Sequence, residues 1–136
     1  MYLLDTNIIS ETVRQSPSKS LLGWLSSTDS SLFFLSVLTF GEIRKGIEKL
    51  DSPSKKQRLT QWLEVDLTRE FSGKVLAIDG AIAEKWGTIS AHVAIPPIDG
   101  LIGASALVHN LTLVTRNTKD FSSIPGIKLI NPWLNP

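Results

Sequence analysis

The chain opens Met1-Tyr2-Leu3-Leu4-Asp5-Thr6-Asn7-Ile8-Ile9-Ser10-Glu11, and the reading of this stretch decides the fold. A short apolar run from Tyr2 to Leu4 ends abruptly in a carboxylate followed by two polar residues. That is the pattern of a buried strand delivering an acid to the carboxyl edge of a parallel sheet. In open α/β sheets the crevice outside that edge is where ligands bind. Asp5 has a plainer use too, as the N-cap of the next helix, because Asp after a strand often caps. The two uses are separated by whether other acids reach the same edge.

Outward from Glu11 the alternation of strand and helix continues. Ile8, Ile9 and Val13 predict a short helix stopped by Pro17, and Ser18-Lys19-Ser20 opens a second helix with Leu21, Leu22 and Leu25 as its apolar stripe. Leu32-Phe33-Phe34-Leu35 reads as a strand buried on both faces. Phe40, Ile43, Ile47 and Leu50 then give a helical core face, with Glu42 beside it. Asp51-Ser52-Pro53-Ser54 separates this from a further helix whose inward face is Leu59, Trp62, Leu63 and Leu67, and the two helices are expected to form an arm projecting from the sheet. After Gly73 come a short strand over 74–78, a helix bearing Ile82, Trp86, Ile89 and Val93, and a hard stop at Ile95-Pro96-Pro97. The next helix is expected to turn Ile98, Leu101, Ile102 and Val108 inward, with Gly100, Gly103, Ala104 and Ala106 keeping it slim. Leu111–Thr115 reads as a strand ending in Arg116-Asn117-Thr118-Lys119-Asp120, and Ile127–Ile130 as the last strand after a loop over 121–126. This order describes an α/β domain with a mainly parallel sheet flanked by helices, in which 1–136 form a single domain.

Composition narrows the chemistry. The 136 residues, 42% of them hydrophobic, suit one sizeable core, and a net charge of +1 argues against a dominant non-specific polyanion binder. With no cysteine, disulfides, thiolate zinc sites and cysteine nucleophiles are excluded, and any metal is held mainly by oxygen. The sequence carries no GxGxxG or GxxxxGK[ST], which weighs against dinucleotide and P-loop chemistry. His92 and His109 read as surface residues at helix ends. A chain without signal-peptide pattern or membrane-length apolar run is expected to be soluble and cytoplasmic.

Three further segments carry acids toward the strand-end crevice: Glu42 early in a helix after the second strand, Asp99 in the first turn of the small-residue helix, and Asp120 after the strand ending at Thr115. Carboxylates about 4 Å apart repel by roughly 4 kcal/mol at an effective dielectric of 20. Such a group is tolerated when a cation fills it or some members hold protons. Oxygen-only acids suit Mg²⁺, which keeps several waters and shares its shell with substrate phosphates.

Four segments together resemble a known family: Leu3-Leu4-Asp5-Thr6-Asn7-Ile8-Ile9-Ser10-Glu11, Ser36-Val37-Leu38-Thr39-Phe40-Gly41-Glu42-Ile43-Arg44-Lys45-Gly46, Ile98-Asp99-Gly100-Leu101-Ile102-Gly103-Ala104-Ser105-Ala106 and Leu113-Val114-Thr115-Arg116-Asn117-Thr118-Lys119-Asp120-Phe121. They are similar to PIN-domain ribonuclease toxins of the VapC type, in the FitB-like branch, and the likeness runs to about Trp133. The resemblance implies a PIN fold, a Mg²⁺- or Mn²⁺-dependent endoribonuclease often directed at tRNA or rRNA, a homodimer, and inhibition by a VapB-type antitoxin. It places Asp5, Glu42 and Asp99 in the acidic core, where they would act on RNA and hold metal. A fourth acid of the pattern falls on Asn117 here, with Asp120 three residues on as its candidate substitute. Thr6, Asn7, Thr115 and Asn117 are candidates to orient carboxylates or waters, and Arg116 and Lys45, with Lys49, Lys55 and Lys56, to meet RNA phosphates. Trp24, Phe33 and Trp62 are candidate exposed aromatics for a dimer interface. Two other classes compete: a catalytically weak PIN-fold module that binds protein or RNA, and a flavodoxin-like phosphate-handling enzyme.

Overall fold

Tyr2–Leu4 forms β1, the central strand of a five-stranded sheet in the computed structural model, which describes residues 1–134. The last two positions of the expected domain lie outside the described residues. β1 pairs with β2 (Phe33–Ser36) on one side and β4 (Thr112–Val114) on the other, and β3 (Val75–Leu76) and β5 (Leu129–Ile130) are the outer strands in the order β3-β2-β1-β4-β5. Among the described residues every strand pairing is parallel. The expected terminal strands over 74–78 and 127–130 each shrink to two paired residues, as edge strands with one neighbour.

The apolar runs are continuous because the sheet is covered on both faces. Leu4, Phe33, Leu35 and Val114 join one core with Ile8, Ile9, Leu21, Ile43, Ile47, Leu63 and Leu67. Leu3 and Leu113 join the other, with Ile82, Ile89, Ile102, Phe121 and Ile124. Full burial of each such side chain contributes about 1.5–3 kcal/mol, so the strands are fixed on both sides.

The first face is covered by α1 (Thr6–Thr12), α2 (Lys19–Ser27) and α3 (Val37–Glu48), and by a helical rod that runs from α4 (Pro53–Gln61) through a π-helical stretch, Trp62–Leu67, into α5 (Thr68–Glu70). Ser18 caps α2 by accepting from Leu21 N at 3.3 Å, and Ser52 caps α4 by accepting from Lys55 N at 3.3 Å. In α2 the inward stripe is Leu21, Trp24 and Leu25, and Leu22 is exposed.

The rod corrects the expectation of a projecting arm. Leu63, Leu67 and Phe71 are buried in the first core, while α4 and the three residues of α5 bury none of their own. Leu59, Leu63, Leu67 and Phe71 recur every four residues, whereas an α-helix turns every 3.6, so an ideal helix would rotate each successive member by about 40° off the face. The wider π turns absorb that drift and keep the residues on the sheet. Gly73, at φ 77°, then reverses the chain toward β3 in a conformation that costs other residues more.

The second face carries α6 (Gly80–His92) and α7 (Pro97–Val108), with the short α8 (Thr118–Phe121) at the start of what reads from sequence as a loop. In α7 the inward residues are the small ones: Gly100, Gly103, Ala104, Ser105 and Ala106 are buried with Ile102, while Ile98 and Val108 are exposed, contrary to expectation. Closeness is the reason, since a Cβ on Gly103 would stand 2.7 Å from Ile124 Cδ1. Ser105 satisfies its buried hydroxyl by donating to Leu101 O at 2.8 Å. No described helix is long and apolar enough to cross a membrane.

Candidate active site

The amide of Asp5 donates to Val114 O at 2.9 Å, which continues the β1–β4 ladder and fixes the residue at the carboxyl edge of the sheet. Its side chain is buried and held at both oxygens. Oδ1 accepts from Thr6 N at 2.8 Å, capping α1, and Oδ2 accepts from the Thr115 hydroxyl at 2.8 Å and from Asn7 Nδ2 at 3.4 Å. Asp5 therefore serves both uses considered from sequence, helix cap and strand-end acid.

Thr115, at the end of β4, is fully buried and saturated: its Oγ1 also accepts from Asn7 Nδ2 at 3.3 Å and from Asn117 N at 3.0 Å. Asn7 completes the bridge between the two strand ends by accepting from Arg116 N at 3.3 Å through Oδ1. The first turn of α1 thus locks the loop after β4.

Ser36, at the end of β2, caps α3 by accepting from Leu38 N at 3.1 Å and so aims that helix out of the sheet edge. One turn on, Glu42 Oε1 accepts from the Thr6 hydroxyl at 2.5 Å, and the buried Thr39 hydroxyl lies 3.1 Å from the same oxygen of Thr6. Asp99 arrives from the other side. Only three residues separate α7 from β4, so the helix runs back along the sheet and its first turn returns to the carboxyl edge.

The electrostatics tie these groups into one site. Burial pushes the Asp5 carboxyl up to about 6, opposed by the hydrogen bonds from Thr115 and Thr6 and reinforced by the charges of Asp99 and Glu42. Asp99 is raised as well, by desolvation first and then by Glu42 and Asp120. Asp5, Glu42 and Asp99 thus lie within electrostatic reach of one another, and Asp120 joins them through Asp99. Among the described residues, however, no three acidic or histidine side chains are gathered into a ready-made metal cage. An open arrangement suits a hard cation that keeps its waters and takes one or two carboxylates, and it suits poorly an ion that needs a closed shell.

Comparison with known proteins adds the family. The PIN domain model matches residues 2–127. The chain belongs to the PIN-domain family. The domain is 35% identical over 138 residues to Toxin FitB of Neisseria gonorrhoeae, covering 98% of this chain and 99% of that one. It is 29% identical over 138 residues to VapC ribonuclease Y4jK of Sinorhizobium fredii, covering 98% of each. Among solved structures it is similar to the crystal structure of FitAcB from Neisseria gonorrhoeae, with a TM-score of 0.92, 34% identity and coverage of 98% of this chain and 99% of that one.

In this PIN domain the expected residues do not all act as the sequence suggests. Thr6, Asn7 and Thr115 meet the carboxylates directly, but Asn117 takes part through its backbone amide, and its exposed side chain makes no cap bond to α8. Asp120, in the first turn of α8, is the acid on this side that reaches Asp99. The Arg116 guanidinium lies 5.1 Å over the Trp133 ring, while Lys45 is exposed on α3. Lys56 pairs with Glu48 at 3.2 Å, so its charge is taken up within the domain. Phe33 and Trp24 stack at 5.6 Å; Phe33 is buried, contrary to its expected exposure, and Trp24 is half-buried. His92 and His109 are exposed at helix ends, as expected. The sequence reading passed over Thr39, whose signal was its place three residues before Glu42, on the same face of α3.

Proposed function

We propose that this PIN domain is the toxin component of a type II toxin–antitoxin pair, an endoribonuclease that hydrolyses RNA phosphodiester bonds at Asp5, Glu42 and Asp99 with Mg²⁺ or Mn²⁺. The observation that carries the reading is the buried Asp5 carboxylate, fixed at both oxygens and facing two further acids across the sheet edge. The names of the relatives supply the reaction, and structures of FitA–FitB and VapB–VapC complexes supply the partner, an antitoxin of that kind. The whole chain works as one domain, in the cytoplasm where RNA is available, and pairs with a second copy.

Asp5 and Asp99 would hold the cation, with Glu42 and Asp120 flanking it. When bound, the cation neutralises charge on the phosphate and makes water at the site more acidic. The protein's own contribution is positional. Asp5 Oδ2 accepts two bonds from the protein, whereas Oδ1 accepts one, from Thr6 N, and retains lone-pair capacity. The carboxylate therefore offers that capacity in a fixed direction without reorganising. Thr6 holds Glu42 by one oxygen, leaving Oε2 to orient the attacking water and accept its proton. Thr115 and Asn7 keep the two strand ends from separating when charge enters the site.

Purified protein incubated with structured RNA is expected to cut it with Mg²⁺ or Mn²⁺, to stop in EDTA and to resume when metal is restored. Undiminished cutting in EDTA by contaminant-free protein overturns the metal reading. No cutting under any metal leaves the binding-module alternative. Sedimentation at roughly tens of micromolar is expected to give a dimer, and monomer alone counts against the assembly.

A further inference from the structure

A cleft of about 1030 Å³ opens between the end of α1, α3 and α4, and Glu42 stands in its wall. Small-ligand pockets run to roughly 300–1,000 Å³, so this open cleft lies at the upper end of that range. Leu59 and Trp62 give it an apolar wall, and Arg14, Lys55 and Arg58 give it positive charge.

The distribution of ion pairs is uneven across this region. On the outer face Arg44 reaches Glu64 at 2.6 Å and Glu48 at 3.8 Å, and Lys56 reaches Glu48 at 3.2 Å. Inside the cleft Arg14 is tied to Glu11 at 3.2 Å, but Lys55 and Arg58 make no ion pair among the described residues. The acids that this part of the fold carries are satisfied elsewhere. The cleft keeps cations along its length and one carboxylate, Glu42, at the end that joins the acid site.

Trp62 sits where the helix changes character. Its amide donates to both Arg58 O and Leu59 O, and the π-helical turns begin there, with the Thr68 hydroxyl donating to Leu63 O at 3.0 Å. Such turns concentrate at functional sites. Here they hold Leu63 and Leu67 in the core while leaving the Trp62 ring half-buried beside the cleft.

We propose that this cleft receives an unpaired stretch of RNA next to the scissile phosphate, one base stacking on Trp62 and the backbone phosphates meeting Arg58 and Lys55. The inference rests on the ribonuclease reading above. An aromatic platform beside a cationic groove is the chemistry that holds single strands, because every base offers a π-face and every linkage a charge. A duplex hides those faces, so the substrate is a loop or another unpaired segment. Continuity through Glu42 puts the groove where the strand has to run on one side of the cut.

The test uses Asp5→Asn protein, which is expected to hold RNA without cutting it, and a fluorescein-labelled single strand compared with the same sequence closed into a duplex. The single strand is expected to bind more tightly. Arg58→Glu and Trp62→Ala are each expected to weaken it about tenfold, from a lost or reversed phosphate contact and a lost stacking platform. Removing Lys55 and Arg58 together lowers the slope of log affinity against log salt by about 1.4, at about 0.7 per contact on a single strand. Lys128→Ala, outside the cleft, leaves the slope as it is. Arg58 is exposed, so its substitution reports on binding even if Trp62→Ala fails to fold, and Trp62→Phe keeps a stacking ring in place. Single-strand affinity unmoved by Arg58→Glu in folded protein overturns the proposal, as does a loss confined to binding of a protein partner. If the unmutated protein cuts RNA and Arg58→Glu protein cuts it with the same KM, the cleft fails while the ribonuclease reading stands. If the unmutated protein cuts no RNA and Asp5→Asn protein binds none, both fall.

Discussion

Replacing Asp5 by Asn removes a charge that the fold keeps out of water, and its effect on stability is expected to change sign with pH. Burial raises this carboxyl from 3.8 to about 6 in the folded chain. An acid raised in this way binds its proton more tightly folded than unfolded. Its contribution is therefore fully present below about pH 4 and is lost as the pH rises through about 6. The difference between 3.8 and about 6 corresponds to ~3 kcal/mol at neutral pH. Against this stands one hydrogen bond. The variant's carbonyl oxygen keeps the cap on Thr6 N, but its amide then faces the Thr115 hydroxyl, whose proton loses its acceptor at a cost of about 1 kcal/mol. In EDTA the variant is thus expected to be about 2 kcal/mol more stable than the parent near pH 7.5 and about 1 kcal/mol less stable near pH 4. At roughly 3 °C per kcal/mol for a chain of this size, the melting temperature rises by roughly 6 °C at neutral pH. Circular-dichroism melts of both proteins across this range give the difference directly, and subtraction removes the titrations they share. A variant destabilised equally at both ends of the range would refute the buried, proton-hungry Asp5 on which the reasoning rests.

Asp99→Asn is expected to abolish RNA cleavage and to weaken the response to Mg²⁺: the parent gains about 2.7 kcal/mol at a hundredfold excess over its dissociation constant, and the variant much less, by thermal melts with and without EDTA. Asp120→Ala should lower the cleavage rate less than Asp5→Ala or Asp99→Ala, because Asp120 is exposed and reaches the site only through Asp99; equal losses in folded proteins would make it a full ligand. Thr115→Val removes the hydroxyl that serves Asp5, Asn7 and Asn117 at once, so it should cost about 1–3 kcal/mol in urea titrations and raise the Asp5 carboxyl further, moving the acid limb of the pH–rate profile upward.

Much of this protein was legible in the order of its residues. Apolar runs such as Tyr2–Leu4 and Phe33–Leu35 are strands because they lack a polar face, and that absence already announces a sheet covered on both sides. An acid immediately after such a strand is placed by the chain's own direction, so Asp5 and the carboxyl edge follow from local pattern alone. The helices carrying Glu42 and Asp99 were readable as well, by periodicity and by Pro97 at a helical start.

What the sequence left open depends on distances between segments. The four-residue spacing of Leu59, Leu63, Leu67 and Phe71 looks helical in sequence, and only packing against the sheet makes it a π-widened rod lying on the core. The small residues of α7 read as spacers, yet they are its buried face, because whether a helix buries bulky or small residues is decided by how closely its neighbour approaches. Whether Asp5, Glu42, Asp99 and Asp120 share one field could not be read from their spacing along the chain. It is set by which strands lie side by side, since β1 between β2 and β4 brings residues more than thirty positions apart to a single edge. The contrast between paired Lys56 and unpaired Lys55 was equally invisible, because neighbours on a helix point in different directions and only the tertiary structure puts an acid in front of one and not of the other.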